Sequence, residues 1–297
     1  MSKKKVFDEE FLHWLERLGM LARSVPTSTS STGQRRTRQF GDGLEFADHR
    51  AYSPGDDIRF LDWNYYARME RLLIRLFHLH SEGMVSILLD CSGSMGLGEI
   101  CKFDYARKAA AALGYIAMIG LDRVLFQPFS QTPAEPLTTG RNRGQILQVL
   151  DYLEELTAEG KTNLGECVQQ YISKTPQPAT IIIISDMLDI EEDLHPALAA
   201  LRQHRDEIIL LHVVDSIDAA PVHIGAIQLQ DTEYHQRLNI NATKEVINRY
   251  KEKWREFALF IEKTAINNGA TYLQAPTNLP LERVILQVLR NARILQR

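Results

Sequence analysis

Three stretches of this chain are almost continuously apolar, and each stops at an aspartate: 84–90 (MVSILLD), 180–186 (TIIIISD) and 208–215 (IILLHVVD). A strand with one face in water alternates apolar and polar residues, so unbroken apolar runs belong to strands covered on both faces. Segments of helical character separate them, at 102–120, 143–156, 164–173 and 194–204, and further strands fall at 124–129 and 271–274. A hairpin at 225–241, a long helix at 243–268 and a closing helix at 281–295 complete the pattern. Alternating strands and helices predict an α/β fold, a doubly wound and mostly parallel sheet flanked by helices. In such sheets ligands gather outside the carboxyl ends of the strands, which is where the aspartates fall.

The residues before 84 form an N-terminal extension. Phe7, Phe11, Trp14, Leu15, Leu18 and Leu21 recur at helical spacing, with Glu9, Glu10, Glu16 and Arg17 mostly off that face. This predicts an amphipathic helix that needs a surface to cover it, either the protein's own body or a partner. Residues 24–33 (SVPTSTSSTG) are small, polar and without period, as a linker is. Gly41, Gly43, Pro54 and Gly55 supply turn chemistry, and 72–80 reads as a strand. That strand puts His78 and His80 on one face; a metal pair and a half-exposed strand face both fit, with no third ligand of obvious spacing beside them. The expected organisation is therefore 1–34 helix and linker, 35–82 a segment packed on the main domain, and 83–297 the α/β domain with its C-terminal helix.

Composition excludes several classes. The 297 residues are 44% hydrophobic and 24% charged with a net charge of -4, ordinary for a globular protein and no basis for nucleic acid as partner. Arg35, Arg36 and Arg38 make a small basic patch that a solvated tail explains. Cys91, Cys101 and Cys167 are odd in number and show no CxxC spacing, which suits a reducing compartment. The longest helical apolar run, 109–121, falls short of the about 20 residues that span a bilayer. With no secretory signal evident, a cytoplasmic location without a membrane span is expected.

The first apolar strand runs into Asp90-Cys91-Ser92-Gly93-Ser94, and the second ends in Asp186. Between them, Gly160-Lys161-Thr162-Asn163 opens the helix at Leu164. In a doubly wound sheet these three loops can converge on one edge. Two carboxylates and up to three hydroxyls form a hard, all-oxygen donor set of the kind that suits Mg2+. The competing explanation is that Ser92 or Ser94 caps a helix while the carboxylates solvate loop ends.

Asp90, Ser92 and Ser94 with Thr162 and Asp186 resemble the metal-ion-dependent adhesion site (MIDAS) of von Willebrand factor A domains. The resemblance implies that these five residues hold Mg2+, or another divalent cation such as Mn2+ or Ca2+, directly or through water, and that a partner's carboxylate completes the coordination. Many members have Gly after the second aspartate, where this chain has Met187. A second resemblance covers 41–68 (GDGLEFADHRAYSPGDDIRFLDWNYYAR), which is similar to the signature of the bacterial family called domain of unknown function 58. That family is associated with MoxR-type AAA+ ATPases. The resemblance implies a non-enzymatic, cation-dependent protein-binding module that works with such an ATPase in assembly or maturation of a client protein offering an acidic residue.

The charges of 41–68 (Arg50, Asp56, Asp57, Arg59, Asp62, Arg68) and its aromatics (Trp63, Tyr65, Tyr66) fit two roles. One is an ion-paired seam against the main domain; the other is a docking surface, where Arg, Trp and Tyr are enriched. Enzymatic alternatives are thinner. Gly160-Lys161-Thr162 lacks the earlier glycine of a phosphate loop, since Glu155 stands there. Cys91 has no histidine with a predictable place beside it. A magnesium-dependent hydrolase or phosphotransferase using Asp90 and Asp186 is the surviving alternative, although no general base joins the cluster.

Overall fold

The computed structural model describes residues 5–24, 34–41, 45–98, 100–131, 135–140, 143–219, 221, 225–230 and 237–291. The expected linker beyond Ser24, the end of the closing helix beyond 291, and the side chains of His78 and His80 lie outside the described residues. In chain order the elements are α1 (Glu9–Ser24), β1 (Gln34–Gly41), β2 (Glu45–Ala51), α2 (Trp63–Met69), β3 (Leu73–Glu82), β4 (Met84–Asp90), α3 (Lys102–Ile119), β5 (Arg123–Phe129) and β6 (Leu137–Thr139). They continue with α4 (Ile146–Glu155), α5 (Leu164–Lys174), β7 (Thr180–Ser185), α6 (Glu191–Gln203), β8 (Glu207–Val214), α7 (Ser216–Ala219), β9 (Gly225–Gln230), β10 (Arg237–Ala242), α8 (Lys244–Asn267), β11 (Thr271–Pro276) and α9 (Leu281–Asn291).

The main sheet has the order β11-β8-β7-β4-β5-β6. Every neighbouring pair is parallel except β5 with the short edge strand β6. This is the expected doubly wound, mostly parallel α/β sheet. The chain builds outward from β4 through β5 to one edge, then returns to lay β7 on the other side of β4. The order therefore reverses between β4 and β7, and a crevice opens at the carboxyl ends of strands at such a point.

Two apolar layers explain the unbroken strands. Ile87 and Leu89 of β4 face a layer with α1, α3, α4 and α9, while Leu88 faces the layer under α5, α6 and α8. The amphipathic N-terminal helix belongs to the first layer: Phe11, Leu15 and Leu18 are buried there beside α3. Its entry is fixed by the Val6 N–H, which donates to Glu154 Oε1 at 3.1 Å. Of the two surfaces its periodicity allowed, the protein's own body covers it.

The segment before β4 forms a second, antiparallel sheet of order β1-β3-β2. Asp62 caps α2 through Oδ1, which accepts from the Tyr65 N–H at 2.9 Å, and its Oδ2 lies 2.9 Å from His49 Nε2. Arg50 pairs with Asp56 at 2.7 Å and Arg59 with Asp57 at 2.6 Å. These charge pairs are internal to the segment. Ile58, Trp63 and Met69 stand exposed around them.

Candidate metal centre

The loop after β4 is held from three directions. The Cys91 N–H donates to the Phe129 carbonyl at 2.8 Å, continuing the β4–β5 ladder past Asp90. The Glu159 N–H donates to the Cys91 carbonyl and the Gly93 N–H to the Gly160 carbonyl, both at 2.8 Å. The Gly160 turn, at φ +82°, is thereby fastened to the loop that carries the serines. From the other side, the Ser185 hydroxyl donates to Asp90 Oδ2 at 2.5 Å. The three predicted loops converge: hydrogen bonds tie the turn of Asp90, Ser92 and Ser94 to the Gly160 turn that precedes Thr162, and to Ser185 beside Asp186.

The competing capping explanation does not describe these hydroxyls. Ser92 precedes a single 3-10 turn and makes no side-chain cap bond; its Oγ lies 3.1 Å from Ser94 Oγ. The cap of α5 is Asn163, whose Oδ1 accepts from the Glu166 N–H at 3.1 Å. Thr162 is left out of that cap. Its Oγ1 is buried and has no hydrogen-bond partner among the described residues. A buried hydroxyl without a partner costs about 1–3 kcal/mol, a cost that a water or a bound ion at this position would remove.

Both carboxylates are almost wholly buried. Asp90 Oδ1 accepts from the Ser92 N–H at 2.9 Å, and the Ser92 hydroxyl adds a further hydrogen bond to the carboxylate. Burial, and then the charge of Asp186, still raise the Asp90 pKa above the usual carboxylate range. The Asp186 charge is the second of these causes, and a cation between the two carboxylates would relieve it. Asp186 Oδ1 accepts from the Leu188 N–H at 3.2 Å. Met187, between them, adopts φ +60°, the left-handed region where glycine is easier. Its N–H donates to Ser185 Oγ at 2.9 Å and its side chain is fully buried, so packing holds a conformation that the residue type disfavours.

Three participants, Ser185, Lys102 and Asp218, were not read from the sequence. Ser185 bridges Asp90 to the Met187 turn. Lys102, the first residue of α3, is 1% exposed and donates to Asp186 Oδ2 and to Asp218 Oδ2, each at 2.8 Å. Burial works against its charge, but Asp186 and Asp218 outweigh that and raise the Lys102 pKa. A signal existed: a cation in the first turn opposes the helix dipole, so Lys102 needed a reason to be there. The third strand-end carboxylate, Asp215, is turned inward, accepting from the Ser216 N–H at 2.7 Å and from the Thr277 hydroxyl at 3.0 Å. Among the described residues no three His, Cys, Asp or Glu side chains form a metal cluster; the donors present are two carboxylates and three hydroxyls, a set suited to a hard ion that keeps some of its water. The donor chemistry and the unpartnered Thr162 hydroxyl fit a divalent cation, with Lys102 standing beside Asp186.

Comparison with known families places 48–257 in the profile described as "Protein of unknown function DUF58". The chain belongs to the DUF58 family. An uncharacterized protein of Mycobacterium tuberculosis is 28% identical over 198 residues, covering 65% of this chain. The match takes in 62% of that relative's own length. Among solved structures, the conserved hypothetical protein BatB from Bacteroides thetaiotaomicron is similar at 18% identity and a TM-score of 0.46, over 71% of this chain and 98% of that one. The SpRpn10 VWA domain is similar at 13% identity and a TM-score of 0.40, over 69% and 93%. No described helix of this DUF58 protein is long and apolar enough to cross a membrane.

Proposed function

We propose that this protein is a non-enzymatic protein-binding module whose grip on its partner depends on a divalent cation, Mg2+ first, held by Asp90, Ser92, Ser94, Thr162 and Asp186. The observation that carries the proposal is the buried Thr162 Oγ1, which has no hydrogen-bond partner among the described residues and belongs to the loop fastened to the serine-bearing turn. When bound, the ion supplies an open position for a carboxylate of the partner. The chain's own contribution is to hold hydroxyls and carboxylates rigidly at the sheet's switch point, with the Ser185 and Ser92 donors fixing both oxygens of Asp90. The partner we assign is a MoxR-type AAA+ ATPase, acting in the cytoplasm on a client that offers an acidic residue.

Affinity capture from a native lysate, run with Mg2+ and again with chelator, tests this. The expected result is an AAA+ ATPase recovered with Mg2+, lost with chelator, and lost with Asp90→Ala. An identical catch under both conditions would remove the cation from the mechanism. Magnesium-dependent phosphoester turnover that disappears in Asp90→Ala would replace the binding module by an enzyme.

A further inference from the structure

Lys102 is the least expected residue of the site. An ammonium buried to 1% exposure costs several kcal/mol unless it is paired, and at the start of α3 the helix dipole adds to that cost. Two carboxylates offset it, and they are not equivalent. Asp186 is 1% exposed and belongs to the proposed cation site, whereas the Asp218 side chain is 26% exposed on the α7 turn. The Nζ sits 2.8 Å from an oxygen of each. An ammonium has three donors, so either carboxylate alone can keep it while the other is released.

We propose that Lys102 is a tethered, exchangeable cation: it neutralises Asp186 while the strand-end site is empty of metal, and withdraws to Asp218 when a divalent ion enters. The inference rests on the cation-site proposal above. Lys102 competes with the metal for Asp186, and Asp218 sets the balance by giving the displaced ammonium an anion near water. The two side chains therefore affect metal binding with opposite signs. Removing the ammonium leaves Asp186 without a competitor and raises affinity. Removing the Asp218 charge leaves the ammonium with Asp186 alone and lowers it. A lysine that merely oriented Asp186 for the metal would give the reverse result at Lys102.

The test is Mn2+ binding to the full-length chain, followed by titration calorimetry and by the paramagnetic resonance of free Mn2+, for wild type, Lys102→Met and Asp218→Asn. Lys102→Met is expected to bind Mn2+ more tightly by about tenfold or more, given a unit charge removed within contact of the site, and Asp218→Asn more weakly. Unchanged or weaker binding by Lys102→Met overturns the exchange while leaving the cation site standing. Binding by none of the three proteins overturns the cation site itself, and the exchange with it. Binding only by Lys102→Met overturns the exchange, because the native chain then keeps its own ammonium at Asp186 and takes up no metal. Circular dichroism and a thermal melt in chelator check folding. If Lys102→Met does not fold, Asp218→Asn carries the test: weaker binding supports the exchange, and equal or tighter binding overturns it.

Discussion

Replacing His212 by Phe isolates a buried titration. His212 lies in β8 with no solvent exposure, its Nδ1 2.8 Å from the Tyr272 hydroxyl and its ring among Trp254, Phe257 and Tyr272 at 5.9–6.3 Å between centroids. Burial is the dominant cause that lowers its pKa to about 4, against 6.5 for an ordinary imidazole. The folded state therefore binds this proton more weakly than the unfolded chain does. The stability linked to the neutral ring is fully present above about 6.5 and is lost as pH falls toward about 4. At about 1.4 kcal/mol per pH unit, the loss between pH 7 and 4.5 amounts to about 2 kcal/mol. Asp90 acts in the opposite sense, because its raised pKa makes folding less favourable as pH rises. That contribution is common to both proteins and cancels in their difference. Urea unfolding in chelator at pH 7 and 4.5 reads the difference: the wild type should lose about 2 kcal/mol more than His212→Phe. Equal pH dependence in the two proteins would refute a neutral, buried His212.

Two further substitutions probe the packing that positions the site. Leu15→Ala empties a 3% exposed position in the layer shared with α3 and should cost about 2–5 kcal/mol in urea unfolding; a change under about 0.5 kcal/mol would detach α1 from the core. Gly114→Ala gains about 1 kcal/mol of helix propensity, but the new methyl would collide with the ring of Phe126, which is 1% exposed in β5. Overpacking of about 1–3 kcal/mol outweighs the gain, so a lower urea midpoint with an unchanged slope is expected, and a higher midpoint would contradict it.

The main sheet was legible because its strands are buried on both faces, which writes their burial directly into residues such as Ile181 to Ile184. The approach of the Asp90 and Asp186 strand ends was legible because strand ends at a switch point converge whatever the loops between them contain. What escaped has equally physical causes. β1 reads QRRTRQFG, with no alternation to betray a strand, and β6 has three residues, too few for any period. The α2 helix (WNYYARM) lacks an apolar stripe, and its start rests on the Asp62 cap. Lys102 reaches Asp186 across 84 residues and Asp218 across 116, separations at which sequence spacing carries no geometry. The placement of α1 on its own body was one of two outcomes its periodicity allowed, and Leu15 and Leu18 against α3 decided it.

The junction between the two sheets has a mechanical consequence. A single residue, Gly83, separates the end of β3 from the start of β4, and its carbonyl already accepts from the Arg123 N–H at 3.0 Å. Tension applied to the small sheet along the chain therefore arrives directly at β4, which spans about 23 Å from Gly83 to Asp90 at the usual rise per residue. β4 is hydrogen-bonded to β5 on one side and β7 on the other, so it cannot be unzipped bond by bond and must be sheared along its length. A tug on the DUF58 signature segment would thus reach Asp90 as an axial load on a clamped rod, with Ser185 the first lateral tie at its far end to register the strain.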